Sequence, residues 1–488
     1  MQVASTDPAL NFGNPVAPVV CIDLDGTIIA TDLLWESLLE FFRRKPLRIL
    51  AIPFWILRGR SYLKERLAQE APVNPEHLPY RQDVLAIIDR LKSAGARHVV
   101  LATASHITLA REVARHLGIF DEVLATEGQL NLKGKAKATL LQERFGRDFL
   151  YIGDSTADLA VWAVASQGVV VGSKKLAARA ASLTEVKLVA ETEPAGWKTH
   201  LKALRLHHWS KNALLLLPLL LSHRWELTAW CRTFAGILLF GLAASAIYVI
   251  NDLLDLPSDR QHPWKNKRPF AAGKISIARG AAMATALLVF AIGIGWVLLG
   301  YLFAAAVSCY CLLSVAYSLH FKRKALIDIF VLTSFYAIRI VTGAVITETP
   351  LSHWFLIFSM FFFFSLALAK RYSELMHADE LVESGNSGRG YFAVDSPLIA
   401  TMGVASAFVA VLVFSFYTQS PEVYKLYPHP APLLLICPLL LFWLMRVWLR
   451  AGRGELNEDP ITLAMRDPMS YEVGLASLAC ILLTFLLR

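Results

Sequence analysis

NDLLDLPSDRQHPWKNKR, residues 251–268, interrupts a long apolar stretch and is the most polar segment of the C-terminal half. Its carboxylates Asp252, Asp255 and Asp259 fall at spacings of three and four, which places them on one face of a helix. Three carboxylates on one face repel each other unless a divalent cation neutralises them. Hard oxygen ligands suit Mg2+, which also takes substrate phosphate oxygens. Arg260, His262, Lys265, Lys267 and Arg268 follow at once, placed to hold a polyanion. The segment reads as a Mg2+–diphosphate site at the end of a membrane helix. A plain positive-inside loop accounts for the lysines and arginines but not for three periodic aspartates.

The flanks set the class. The chain has 488 residues, 55% of them hydrophobic, and a mean hydropathy of +0.47, too apolar for a wholly soluble protein. Apolar runs near 211–222, 228–250, 278–299, 301–319, 325–346, 351–369, 397–418, 430–449 and 470–487 predict nine membrane helices, the first of them short. The loops after the second, fourth, sixth and eighth runs carry the cations, among them Lys274, Lys322, Lys370, Arg389 and Arg446. The opposite loops hold Arg224 and Lys425. Such asymmetry predicts an inner-membrane protein with every polar motif on the cytoplasmic face. The net charge of +9 therefore belongs to topology and anionic ligands, and nucleic acid is not an expected partner. Six cysteines sit in apolar runs without metal spacing, so neither a disulfide framework nor a zinc site is expected. The N-terminus lacks a charged region followed by an apolar core, so no signal peptide is expected. Arg450–Met469 is polar and reads equally as a lid or a plain loop.

The N-terminal part follows a different rule. After a lead-in over 1–17, Val19–Leu24 is an apolar run ending in Asp23-Leu-Asp25-Gly-Thr27. The same design recurs in HVVLATAS (98–105) and FLYIGDSTAD (149–158), with helical segments Val84–Ala94 and Ala136–Phe145 between them. Alternating buried strands and helices predict a doubly wound α/β domain over 18–190, with chemistry at the strand ends. A linker over 191–205 then leads to a membrane domain over 206–488.

Four strand-end pieces, Asp23-x-Asp25, Thr103, Lys137 after Gly134, and Gly153-Asp154-Ser-Thr-Ala-Asp158, resemble the motifs of the haloacid dehalogenase (HAD) phosphatase superfamily. The resemblance implies a parallel Rossmannoid sheet with a helical cap within 31–97. It makes Asp23 the nucleophile and Asp25 the general acid/base, with Thr103 and Lys137 holding phosphate. Asp23, Asp25, Asp154 and Asp158 would bind Mg2+. Inside the cap, Arg48–Leu57 (RILAIPFWIL) is too short to span a membrane. It reads as ordinary cap core, or as a surface facing an anionic leaflet through Arg43, Arg44, Arg48, Arg58 and Arg60.

Residues 200–488 resemble the UbiA superfamily of membrane transferases, whose NDxxDxxxD signature stands at Asn251–Asp259. LHHWSKN (206–212), DRxHPxK (259–265) with RPxAAG (268–273), and KRYxEL (370–375) resemble the polyprenyl-phosphate phosphoribosyltransferase branch more narrowly. That branch moves 5-phosphoribose from phosphoribosyl diphosphate (PRPP) to a polyprenyl phosphate. The resemblance implies Mg2+ at Asp252, Asp255 and Asp259 with Asn251 assisting. Arg260, His262, Lys265 and Arg268 would meet the diphosphate, Lys322, Lys370 and Arg371 the lipid phosphate, and Tyr317, Asp328 and Arg339 the ribose. A second DxxxD motif, expected of relatives using prenyl diphosphates, is reduced here to Asp328 beside Lys322-Arg323-Lys324. Fewer acids and more bases favour an acceptor that is itself a phosphate. The expected protein is bifunctional, the transferase making a 5-phosphoribosyl lipid and the phosphatase trimming it for cell-envelope glycans. The alternatives are an aromatic prenyltransferase, which predicts the missing DxxxD, and a transporter with a regulatory phosphatase, which predicts polar groups at mid-membrane.

Overall fold

The structure, a computed structural model, describes residues 17–128, 131–191, 195–378, 390–456, 464 and 466–486. The lead-in up to residue 16, Arg389 and residues 457–463 and 465 of the polar Arg450–Met469 stretch lie outside the described residues. The chain forms two compact units, one of residues 1–204 with 249–283, the other of 205–248 with 284–488.

The first unit is built on six parallel strands: β1 (Val19–Ile22), β2 (His98–His106), β3 (Glu122–Thr126), β4 (Phe149–Gly153), β5 (Gln167–Gly172) and β6 (Glu185–Glu191). They run in the order β3-β2-β1-β4-β5-β6. The central strands read as continuous apolar runs because both faces are covered: Val20, Cys21, Ile22, Leu150 and Ile152 are buried. Helices Gln82–Ser93, Ile107–Leu117, Lys135–Phe145 and Lys174–Ala181 follow or precede the strands. Gly118, at φ +64°, closes Ile107–Leu117 in the left-handed conformation that an ordinary residue resists. Because β1 pairs with β2 on one side and β4 on the other, the strand order reverses beside it, and the crevice opens at its carboxyl end.

Between β1 and β2 lie helices Leu33–Arg44, Ile52–Leu57 and Arg60–Glu70, with a 3-10 segment Pro46–Ala51. They share a small core of Phe41, Leu63, Leu67 and Ala71, with Ile52 and Trp55 packed on it. The cap-core reading of Arg48–Leu57 is corrected here: no residue of Pro46–Leu57 is buried.

Among the described residues, eight helices are long and apolar enough to cross a membrane, from Leu227–Leu254 to Pro468–Leu486. The count is eight, not nine. The run 211–222 forms a 3-10 segment, Leu206–Leu216, and a helix of five residues, Leu217–Leu221. Pro218 offers no amide hydrogen to continue an α-helical ladder through the run. In the second unit the helices approach closely through small residues. A Cβ on Gly403 would stand 2.0 Å from the Trp448 ring, while Ser365 donates to the Gly403 carbonyl at 2.8 Å and accepts from Trp448 Nε1 at 3.0 Å.

Candidate functional site

The carboxyl ends of β1, β2 and β4 bring the predicted phosphate chemistry together around a cavity of about 1080 Å³. Asp23 follows β1, and its Oδ2 lies 2.9 Å from Lys137 Nζ. That ammonium is buried and also donates to the Tyr151 hydroxyl at 2.9 Å. Tyr151 in turn donates to Asp158 Oδ1 at 2.8 Å. The other oxygen of Asp158 accepts from the amide and hydroxyl of Ser155 at 3.0 and 2.8 Å. Asp158 thus fastens the turn that carries Asp154. Asp25 accepts from Ser105 Oγ at 2.5 Å and from the Leu33 amide at 2.8 Å. Thr103 is fully buried, with its hydroxyl 3.5 Å from Asp25.

Gly26 is required by this arrangement. It sits at φ +78°, and a Cβ there would come 2.0 Å from Asp154 Oδ2.

Asp23, Asp154 and Asp158 each offer an oxygen within 4.8 Å of the others, a donor set that fits a divalent cation. Asp25 lies outside this trio. Burial pushes the carboxyls up: Asp154 to about 8, with Asp23 and Asp158 adding repulsion, and Asp25 to about 7, with Asp32 adding repulsion. Asp23 rises to about 6, burial outweighing the Lys137 ammonium beside it. For Lys137 burial acts downward, but the attraction of Asp23 and Asp158 leaves it raised and charged. The aspartates share the cavity lining with Lys137 and further cations such as Lys64, Arg81 and Lys133, a mixture that suits a metal ion and a phosphate together.

The aspartate segment is not one continuous helix. Helix Leu227–Leu254 stops, Asp255 takes φ −92° and ψ 4°, and a second helix spans Leu256–Gln261. Pro257 causes the break, because it cannot donate to the preceding turn. Asp252 and Asp259 are buried and converge on Arg268, at 3.4 and 2.6 Å. Arg260 was expected to face a diphosphate. Instead it donates to both Glu36 oxygens, at 3.2 and 2.7 Å, and to the His77 carbonyl. His262 accepts from the Trp264 amide at 3.3 Å, and Lys265 is exposed. Asn251 is half-buried.

In the second unit Asp328 is fully buried and pairs with Arg371 at 2.6 Å, while the Tyr391 hydroxyl donates to it. Arg371 also pairs with Glu374. Its guanidinium is therefore committed within the protein rather than free to steer a lipid phosphate. Arg339 is held by neutral groups: it donates to Asn212 Oδ1 at 3.1 Å, to the Phe335 carbonyl and to the Tyr310 hydroxyl. It also lies over the Phe240 and Tyr310 rings at 5.1 and 4.9 Å. Nδ2 of Asn212 and Nε of Arg371 are buried without a hydrogen-bond partner among the described residues, donors open to a polar ligand. Tyr317 packs edge-on against Phe335, and Lys322 and Lys370 are half-buried.

The sequence reading missed Ser105, Tyr151, Glu36, Asn212, Glu374 and Tyr391 as partners of the charged groups. Ser105 and Tyr151 lie inside quoted strands, and Asn212 and Glu374 inside quoted motifs. Nothing local marks Glu36 or Tyr391.

An α/β unit with a phosphate-type acidic cavity, in one chain with eight apolar helices and an aspartate-rich turn, defines an integral membrane enzyme with a transferase part and a hydrolase part. The chain belongs to the UbiA prenyltransferase family, which matches residues 213–460, and its N-terminal part is a haloacid dehalogenase-like hydrolase domain, matched over 20–162. It is 42% identical to the protein y4nM of Sinorhizobium fredii over 94% of this chain and 89% of that one. It is 33% identical to the nodulation protein NoeC of Azorhizobium caulinodans, over 58% of this chain and 90% of that one. It is 28% identical to a decaprenyl-phosphate phosphoribosyltransferase of Mycobacterium tuberculosis, over 57% of this chain and 92% of that one.

Proposed function

We propose that the chain is a bifunctional enzyme of polyprenyl-phosphate metabolism. Residues 206–488 transfer 5-phosphoribose from PRPP to a polyprenyl phosphate. Residues 18–190 then remove the 5-phosphate, leaving polyprenyl-phosphoryl-ribose for cell-envelope glycans. The likeness to decaprenyl-phosphate phosphoribosyltransferases supports the first step. The observation that carries the reading is the reduced second motif: one carboxylate, Asp328, already neutralised by Arg371. Such a site has no second acidic cluster for a prenyl diphosphate, and it favours an anionic acceptor.

In the transfer, an oxygen of the lipid phosphate attacks C1 of the ribose, and the C1–O bond to the diphosphate breaks. Arg268 bridges Asp252 and Asp259, and turning toward the leaving diphosphate it would stabilise the charge that builds there. Lys265 adds positive charge for the diphosphate. In the trimming step Asp23 attacks the 5-phosphate and the bond to the ribose oxygen breaks. Asp25, whose raised pKa of about 7 keeps a proton available, supplies it to that oxygen. Water then cleaves the aspartyl-phosphate, and Asp25 takes its proton. Lys137 holds the phosphoryl oxygens throughout. Mg2+, held by Asp23, Asp154 and Asp158 and at the Asp252–Asp259 turn, would supply charge neutralisation to the phosphate groups. The cytoplasmic face of the inner membrane, where PRPP is available, is the face proposed for both steps.

The test uses purified protein in detergent with Mg2+, radiolabelled PRPP and a polyprenyl phosphate. Wild type is expected to give the ribosyl lipid, and Asp23→Asn to stop at the 5-phosphoribosyl lipid. Label that never enters lipid overturns the transferase reading and favours an aromatic acceptor. Incorporation indifferent to Asp23 overturns the trimming step.

A further inference from the structure

The segment Pro46–Leu57 has the wrong surface for a part of a protein that meets only water. Leu47 is 89% exposed, Leu50 77%, Phe54 69% and Leu57 84%. Four large apolar side chains within eleven residues form the kind of contiguous patch that soluble surfaces avoid. The backbone is ordered, not frayed. A 3-10 segment passes into helix Ile52–Leu57, and Ile52 and Trp55 anchor it on Phe41, the Trp55 ring lying 5.2 Å from that of Phe41. A fixed scaffold therefore turns two apolar residues inward and the others out.

The chemistry around the patch selects its occupant. Arg43, Arg44, Lys45, Arg48, Arg58 and Arg60 flank it, the first four sharing Glu40 and Glu70 as their acids. An apolar face rimmed by excess positive charge matches the headgroup layer of an anionic bilayer. The same chain carries eight helices able to cross a membrane, so a bilayer is always present. At twelve residues the segment is too short to span one. It can only lie in the interface. Moreover, the patch runs into the phosphatase-like cavity: Ile56 and Arg60 line the cavity that holds Asp23, along with Leu34 and Trp35.

We infer that Pro46–Leu57 is a membrane-docking element that rests Leu47, Leu50, Phe54 and Leu57 in an anionic headgroup layer and opens the Asp23 cavity to phosphomonoesters anchored in the bilayer. The docking stands on the surface alone; only the class of substrate rests on the phosphatase reading above. A soluble sugar phosphate gains nothing from docking, whereas a lipid-linked one reaches Asp23 without leaving the membrane.

The experiment uses the full chain in nanodiscs of phosphatidylcholine and phosphatidylglycerol. Leu50→Cys carries an environment-sensitive fluorophore, in a background where Cys231, Cys309 and Cys437 are Ser. Blue-shifted emission and loss of fluorescence on adding nitroxide-labelled lipid are expected. Water-like emission untouched by the nitroxide overturns the inference, and so does burial of the probe through self-association that appears equally in detergent. In a second arm, Leu50→Asp with Phe54→Asp is compared with Leu50→Phe with Phe54→Leu on ribose 5-phosphate and on a farnesyl-phosphoryl-5-phosphoribose held in the disc. The acidic pair should lower the lipid-to-soluble rate ratio by about ten-fold or more, the apolar burial of two side chains being withdrawn, while the apolar pair keeps it. An unmoved ratio counts against docking. A probe quenched by lipid in a protein that hydrolyses neither substrate upholds docking and sinks the phosphatase reading.

Discussion

The acidic centre at Asp23 and the one at Asp328 meet the same electrostatic problem in opposite ways. Around Asp23, four carboxylates (Asp23, Asp25, Asp154 and Asp158) crowd together with Lys137 paired to two of them, and burial drives three of the four far above their ordinary range. Around Asp328, one buried guanidinium, Arg371, pairs with that carboxylate and with the more exposed Glu374, and a tyrosine hydroxyl donates to Asp328. The Asp252–Asp259 turn resembles the second case, since Arg268 already bridges its two acids. Burying a charge requires a partner. The first centre leaves that partner to come from outside, which suits a cation-dependent reaction. Asp328 keeps it within the protein, and at the Asp252–Asp259 turn Arg268 holds the place that Mg2+ would take.

Metal removal should break the comparison most sharply. Chelation with EDTA is expected to lower phosphate release at the Asp23 centre by about a thousand-fold, because charge neutralisation is the main requirement of phosphoryl transfer. Thermal unfolding in detergent should then show the Asp328 pairing undisturbed. Release that survives chelation would remove the distinction between the two centres. Next in size is Arg371→Ala, which strands Asp328 without its cation at a site with no exposure to solvent. The expected destabilisation is about 3–5 kcal/mol. Arg371→Met with Asp328→Asn should recover much of it, as a coupled pair does in a double-mutant cycle. Gly26→Ala sharpens the first centre: a Cβ 2.0 Å from Asp154 at φ +78° should cost about 1–3 kcal/mol and depress phosphate release.

How much of this was legible follows from the distance between partners in sequence. The HAD-like motifs stand at the ends of apolar strands, so strand and chemistry are written side by side, and the α/β layering follows from the same alternation. The eight helices announce themselves by hydropathy, while the 3-10 stretch Leu206–Leu216 does not, since an apolar run looks the same in either helix. The break at Asp255 was available locally in Pro257, but the periodicity of the aspartates outweighed it. Arg371 meets Asp328 across 43 residues and Tyr391 meets it across 63. Arg260 finds Glu36 across 224. No spacing rule reaches that far, which is why these cations read as ligand-binding until the fold supplied their acids. The exposure of Pro46–Leu57 is illegible for a related reason: an apolar run says that water is avoided, not what replaces it.

One helix, Leu33–Arg44, contains both kinds of acid and allows the smallest and cleanest test. Glu36 is buried, accepts from Thr31 at 2.7 Å and holds Arg260, so its charge is part of the interior. Glu40, one turn on, pairs with Arg43 and Arg44 at 2.9 and 2.6 Å, with the Arg44 side chain half exposed. An exposed pair gains little over its hydrated ions, so Glu40→Gln should shift stability by less than about 1 kcal/mol and shrink further in high salt. Glu36→Gln, read by the same thermal unfolding, should exceed that several-fold, because it leaves the Arg260 guanidinium buried beside a neutral amide. Equal shifts at the two positions would mean that burial does not decide the worth of these pairs, and the contrast between the Asp23 and Asp328 centres would lose its physical basis.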